Sequence, residues 1–281
     1  MNISNQELQS LTAYLDSIER EENVTVVAAW VMGSHARGVS DSESDIDIQY
    51  IFVEPLLNYI SLTKHNDSLR HAEEDLTSGV PYAFQREGVD LEFMGWNARR
   101  FLELLGDRDD GNNPAALECL CSPYTLRTHP VIEELREYVD GHYNVIELSN
   151  HYTGLVKRNW RRYLEEEKDP SVKRLLYIVR GVLYARYVRE QQDLPPMDIP
   201  EFLSVAPDSV FDGFGKKHVS ELVEKKQSGR GGETVDPDTY AESIERFLAE
   251  DIEYQHLIRE NSIEASVLDE YMFQLVRDSR M

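Results

Sequence analysis

Apolar residues recur at helical spacing near the start of the chain. Leu8, Leu11, Leu15 and Ile18 predict an amphipathic helix over 6–20. The β-branched run Val24 to Val31 then reads as a strand, ending at the turn Met32-Gly33-Ser34. Ile46 to Val53 predicts a second strand, closed by Glu54-Pro55, and the alternation over 88–94 a third. Helices follow at 97–105, with Asn97 as N-cap, and at 114–121, with Asn113 as cap and Pro114 at the first helical position. Beyond Ser122-Pro123 the pattern is helical almost throughout. One helix starts at His129-Pro130 and ends near Gly141. Two longer ones cover 148–166 and 170–191, separated by Lys168-Asp169-Pro170 and stopped by Pro195-Pro196. The stretch 225–232 reads as a flexible linker or loop, and a last long helix covers 237–260 with a short one after it. Strands in the first third and helices in the rest predict an α+β fold: a small mixed sheet with flanking helices over 1–127, then an all-α domain over 128–281.

Hydrophobic residues make up 41% of the 281, enough for a packed core, and no apolar run is long enough to span a bilayer. The first residues have neither the basic start nor the apolar stretch of a signal peptide, so a cytoplasmic location is expected. Cys119 and Cys121 have no second Cys/His pair beside them and read as small core residues, not a redox or zinc pair. The net charge of −23 disfavours a long nucleic-acid footprint; a high-salt cytoplasm is one reading of it, testable by activity in molar KCl against dilute buffer. The charge is uneven. Between Lys157 and Arg189 ten Lys/Arg face four acidic residues, which suggests an anionic ligand held at one place, against the alternative of salt bridging to the acidic remainder. Lys157 and Arg161 share a helix face, as do Lys173, Tyr177, Arg180 and Tyr184. Lys157, Lys173 and Arg180 are therefore candidates to contact a triphosphate or an anionic acceptor.

The most informative segment runs from Gly33-Ser34 through His35, Arg37 and Asp41 to Ser44-Asp45-Ile46-Asp47. Residues i and i+2 of a strand share a face, so Asp45 and Asp47 point together and can share divalent cations through hard oxygen ligands. Gly33 and Ser34 sit where a strand passes into a helix, whose N-terminus offers free N–H groups and a positive dipole end to phosphate. Arg37 and His35 follow closely enough to touch phosphate, although solvent-facing roles fit them equally. A calcium loop starting at Asp41 would need Gly at its sixth position and Glu at its twelfth, but Ile46 and Phe52 stand there.

This segment resembles the signature of the DNA-polymerase-β-type nucleotidyltransferase superfamily, a Gly-Ser turn followed by a strand bearing Asp-x-Asp. Tyr50-Ile51-Phe52-Val53-Glu54-Pro55, Gly95-Trp96-Asn97, Asn113-Pro114, His151-Tyr152-Thr153-Gly154 and Lys173-Arg174-Leu175-Leu176-Tyr177 extend the likeness to the nucleotidyltransferase family associated with RNA repair ligases, over about 24–200. The resemblance implies a nucleotidyltransferase fold for the sheet domain. It also implies a third carboxylate just before the Gly-Trp pair: Glu92, with Asp90 as runner-up, where the family more often has Asp. It implies two Mg²⁺ ions, with Mn²⁺ as an alternative, held by Asp45, Asp47 and Glu92, and in-line transfer of an NMP from an NTP with release of pyrophosphate. The acceptor is expected to be an RNA end; a protein hydroxyl or small molecule, including an antitoxin-type role, and a non-catalytic nucleotide-binding module are the alternatives.

Overall fold

A capping box starts the first helix, α1 (Asn5–Glu22): Ser4 accepts from the Glu7 N–H, Glu7 accepts from the Ser4 N–H, and Asn23 ends the helix in the left-handed conformation. The computed structural model describes residues 3–62, 66–72, 89–106, 113–166, 170–250 and 262–279. The chain forms two compact units, one from 1–36, 43–143 and 261–281, the other from 37–42 and 144–260.

In the first unit α1 leads to β1 (Thr25–Val31), the single helical turn α2 (Gly33–Ala36), β2 (Ile46–Val53), the short α3 (Leu56–Tyr59), β3 (Ser68–Ala72), β4 (Leu91–Asn97), α4 (Ala98–Leu105), α5 (Pro114–Leu120), β5 (Thr125–Thr128) and α6 (Pro130–His142). The five strands form one mixed sheet in the order β3-β4-β2-β1-β5, with β2 and β4 parallel and the other pairs antiparallel. One sheet face packs on α1 through Ile46, Ile48, Tyr50, Phe52, Leu91 and Phe93. On the other, Trp30 and Trp96 meet Phe101 of α4, the Trp96 ring stacked on it at 6.3 Å. Gly95 faces Tyr50 across the β2–β4 pair, and a Cβ there would lie 2.3 Å from the phenol ring, so the glycine makes room for the buried tyrosine. The expected strands over 24–31 and 46–53 and the caps Asn97 and Asn113 are present, and the helix expected to start at His129-Pro130 is capped by the His129 side chain. The third strand starts at Leu91 rather than 88, and Gly88 lies outside the described residues. The pattern misses β3 (SLRHA) and β5 (TLRT), because short, polar edge strands carry no apolar run to detect.

The second unit is built on α7 (Val145–Trp160) and α8 (Val172–Gln191), with α9 (Ile199–Val205), α10 (Lys216–Lys225) and α11 (Asp238–Ala249) around them. Asn144 caps α7 at 145, not 148, and at Arg161 the helix widens into a π-type stretch to Glu166. α8 buries Leu175, Ile178, Val179, Val182 and Leu183; Tyr184 packs edge-on against Tyr152 at 5.5 Å and against Phe202 at 4.9 Å. The expected linker at 225–232 is instead folded structure. Lys226 is buried, the Gly231 carbonyl accepts from the Lys173 N–H at 2.9 Å, and the Glu233 carbonyl accepts from the Val172 N–H at 2.9 Å. This segment therefore supplies acceptors to the first turn of α8, whose N–H groups have no partners within the helix. α11 ends at Ala249; the predicted continuation to 260 and the break at Lys168-Asp169 fall outside the described residues.

The chain then returns to the first unit as α12 (Ala265–Asp278). The Glu264 N–H donates to the Tyr138 hydroxyl at 3.1 Å and the Tyr271 hydroxyl to the Glu134 carbonyl at 3.3 Å, tying α12 to α6. The His129 N–H donates to the Val27 carbonyl at 2.8 Å, so α6 is hung from the sheet. In these units α6 and α12 go with the sheet, and residues 37–42 go with the helices. Among the described residues no helix is long and apolar enough to cross a membrane.

Candidate active site

β1 delivers the chain to Met32, whose N–H donates to the Asp47 carbonyl at 2.8 Å. Gly33 follows with φ +63, and a Cβ there would stand 1.8 Å from Asp47 Oδ2. Glycine is needed twice here, for the left-handed backbone and for the direct approach of that backbone to the carboxylate. The helix expected after the turn is a single turn long, so it offers a few N–H groups around half-buried Ser34 rather than an extended dipole. His35 is buried and not solvent-facing; its Nε2 lies 3.3 Å from the Ser44 carbonyl, which closes the base of the 36–43 loop.

In β2 every residue but Asp47 is buried. Across the parallel pair Asp47 stands in register with Glu92, and the Asp90 carbonyl accepts from the Ile46 N–H at 2.9 Å. Side chains in register on neighbouring strands share a face. The sheet thus brings Asp47 and Glu92 side by side, with exposed Asp45 and Asp90 just before the two strands begin. The Glu92 carboxylate pairs with Arg70 of β3, whose side chain is 71% exposed. Among the described residues no group of three His, Cys, Asp or Glu side chains is arranged to hold a metal ion. The donors are of the right kind for a hard divalent cation, all carboxylate oxygens, and the register is right; Glu92 is turned to Arg70.

The remaining predicted residues belong to the second unit. Arg37 is half-buried and its carbonyl accepts from the Ile199 N–H at 2.9 Å. Lys157 and Lys173 are exposed on α7 and α8. Arg180 is buried, its guanidinium lying over the rings of Tyr177 (4.8 Å) and Tyr184 (5.3 Å). Cys119 is buried as expected, but Cys121 is exposed, and neither forms a disulfide.

Sequence reasoning missed what holds the signature loop. Lys226 Nζ donates to Asp41 Oδ2 at 2.6 Å with the two side chains only 8% and 11% exposed, and Gln227 Nε2 donates to the Gly38 carbonyl at 2.8 Å. The partners are 185 and 189 positions apart, and the only local signal was a Lys-Lys pair in a glycine-rich stretch. Arg70 was missed as well, since it lies on an edge strand the pattern does not reveal.

A mixed sheet carrying a Gly-Ser turn against an Asp-x-Asp strand, with a carboxylate in register on the next strand, defines a class: the DNA-polymerase-β-type nucleotidyltransferases. Within that class a family profile described as the RNA repair pathway DNA polymerase beta family matches residues 9–274, and the chain belongs to that family. A Bacillus subtilis (strain 168) protein, YcgL, is 26% identical over 246 residues, 87% of this chain and 85% of that protein. A solved spectinomycin adenyltransferase from Enterococcus faecialis, with ATP and spectinomycin, aligns over 99% of this chain and 100% of that one at 10% identity and a TM-score of 0.41.

Proposed function

We propose that this protein transfers a nucleoside monophosphate from an NTP to an acceptor hydroxyl, with an RNA end as the acceptor, and releases pyrophosphate. The observation that carries the reading is the register of Asp47 with Glu92 beside a glycine whose backbone touches the Asp47 carboxylate. Asp45, Asp47 and Glu92 are the ligands for two Mg²⁺ or Mn²⁺ ions. Bound there, the metals supply charge neutralisation at the triphosphate and a lowered pKa for the acceptor hydroxyl. Glu92 reaches this role by exchanging Arg70, an exposed partner whose pairing is weak in water. The N–H groups of the Gly33-Ser34 turn and the Ser34 hydroxyl donate to phosphate oxygens. Arg37, Lys157 and Lys173 are assigned to the anionic parts of the substrates, as is Arg180 with Tyr177 as its cover. Membership of an RNA repair family supports the RNA acceptor.

The test is incubation with each α-labelled NTP, Mg²⁺ or Mn²⁺, and RNAs carrying defined 3′ and 5′ ends. Label should pass to an RNA end and be lost in Asp45→Asn/Asp47→Asn. Glu92→Gln should abolish turnover and spare NTP binding; full activity in that variant would remove Glu92 from the ligand set. Label passing only to protein would replace the RNA acceptor.

A further inference from the structure

A cavity lined by three arginines and three carboxylates lies wholly within the helical unit, where no catalytic carboxylate has been assigned. Its volume is about 420 Å³, and Arg186, Arg189, Arg246 and Glu250 line it together with Ser209. Two of these arginines are rigidly placed. Arg186 Nη1 donates to the Asp212 carbonyl at 2.6 Å and to the Val210 carbonyl at 3.4 Å. Arg189 donates from Nε to Ser149 Oγ and from Nη2 to Thr153 Oγ1, both at 2.8 Å. The Phe247 ring lies against both guanidinium groups, at 5.8 and 4.9 Å, and Phe214 adds a second ring against Arg186 at 5.5 Å. Nη2 of Arg186 and Nη1 of Arg189 turn to a common point. The Glu250 carboxylate occupies it at 3.6 and 3.5 Å.

We propose that this point is a binding site for a phosphate group, with Glu250 as its resident competitor. Hydrogen-bonded, ring-backed arginines present donors without further ordering, and a phosphate group offers them more oxygens than the carboxylate that lies at 3.5 and 3.6 Å. Glu250 is 40% exposed, so its carboxylate can turn to water at little cost. Of the other carboxylates on the wall, Glu190 accepts from the Ser209 hydroxyl at 2.7 and 2.9 Å, and Asp212 offers its backbone carbonyl to Arg186. Arg246, paired to Glu242 at 2.8 Å on the exposed rim, supplies a third cation. The cavity is larger than one phosphate needs, so a terminal phosphate carrying a substituent fits the same chemistry.

The site uses no metal, so its test is separable from nucleotide transfer. Pyrophosphate is titrated calorimetrically into the full chain in EDTA, using wild type, Glu250→Gln, Arg189→Lys, Arg246→Gln and Asp45→Asn/Asp47→Asn. Removing the competing charge should tighten pyrophosphate by about tenfold in Glu250→Gln. Arg189→Lys and Arg246→Gln should weaken it, and the Asp45/Asp47 variant should bind like wild type even where transfer is dead. A purely structural ion pair predicts the reverse for Glu250→Gln, a less stable protein with no gain in affinity. No heat in any variant, no gain in Glu250→Gln, or binding lost with Asp45 and Asp47 overturns the proposal. Competition by a 5′-phosphorylated oligoribonucleotide, but not its 5′-hydroxyl counterpart, identifies the source as an RNA end; competition by neither assigns the site to a small phosphate.

Discussion

Two ion pairs flank the signature of this protein and differ in almost every physical respect. Asp41 and Lys226 meet at 2.6 Å with both side chains nearly sealed from water, at the middle of the loop between the Gly-Ser turn and the Asp-x-Asp strand. Arg70 and Glu92 meet on an edge strand and its neighbour, with the arginine largely in solvent. A sealed pair cannot exchange partners, because either charge left alone is stranded in a medium that solvates it poorly. An exposed pair exchanges readily, since water receives whichever side chain leaves. The loop side of the signature is thus built to stay fixed, and the carboxylate side can exchange its partner, as the proposed metal role requires.

Lys226→Met should produce the largest effect. It strands Asp41 at a buried position and should cost about 3–5 kcal/mol, read as a lowered denaturation midpoint. Adding Asp41→Asn should recover part of that loss, because the stranded charge is then gone. A cost below about 1 kcal/mol would place this pair in the same category as Arg70–Glu92 and end the contrast.

Gly33→Ala comes next. The backbone there is left-handed at φ +63, which costs a non-glycine residue about 1–2 kcal/mol. The added methyl would also displace the Asp47 carboxylate, which no side-chain rotation at residue 33 can avoid. We expect a modest drop in thermal stability with near-complete loss of nucleotide transfer. Retained transfer would mean that the contact of backbone with carboxylate is incidental.

The contrast also separates what was legible in the sequence from what was not. Asp47 could be read directly: strand periodicity placed it with Asp45, and a buried β-branched run on either side left it as the one position of β2 open to solvent. The Asn97 and Asn113 caps were equally local, each a side chain accepting from an N–H two positions on. Glu92 came from the family register, and the β2–β4 pairing sets it opposite Asp47. Lys226 was invisible, because a glycine-rich basic stretch has the composition of a linker whether or not it packs. Its partner is remote in sequence and no pattern links the two. Arg180, chosen for its helix face, is instead buried between tyrosines: basic residues are spread around α8, with Lys173 and Arg174 exposed and Arg180 buried, so their spacing does not tell which side meets solvent.

Arg70→Met should have the smallest effect on stability, within about 1 kcal/mol, because an exposed pair contributes little. Its value lies in the opposite sign it predicts for metal binding. While Arg70 holds Glu92, a divalent cation must displace it; without Arg70 the carboxylate is available from the start. Mn²⁺ binding, followed by the loss of its free-ion resonance, should tighten by roughly two- to fivefold, the equivalent of the ion pair removed. In a Glu92→Gln background the same substitution should give no gain, since the group it releases is no longer a ligand. A gain that persists there would mean Arg70 acts through its charge on Asp45 and Asp47 alone, and Glu92 would then be a partner for Arg70 and nothing more.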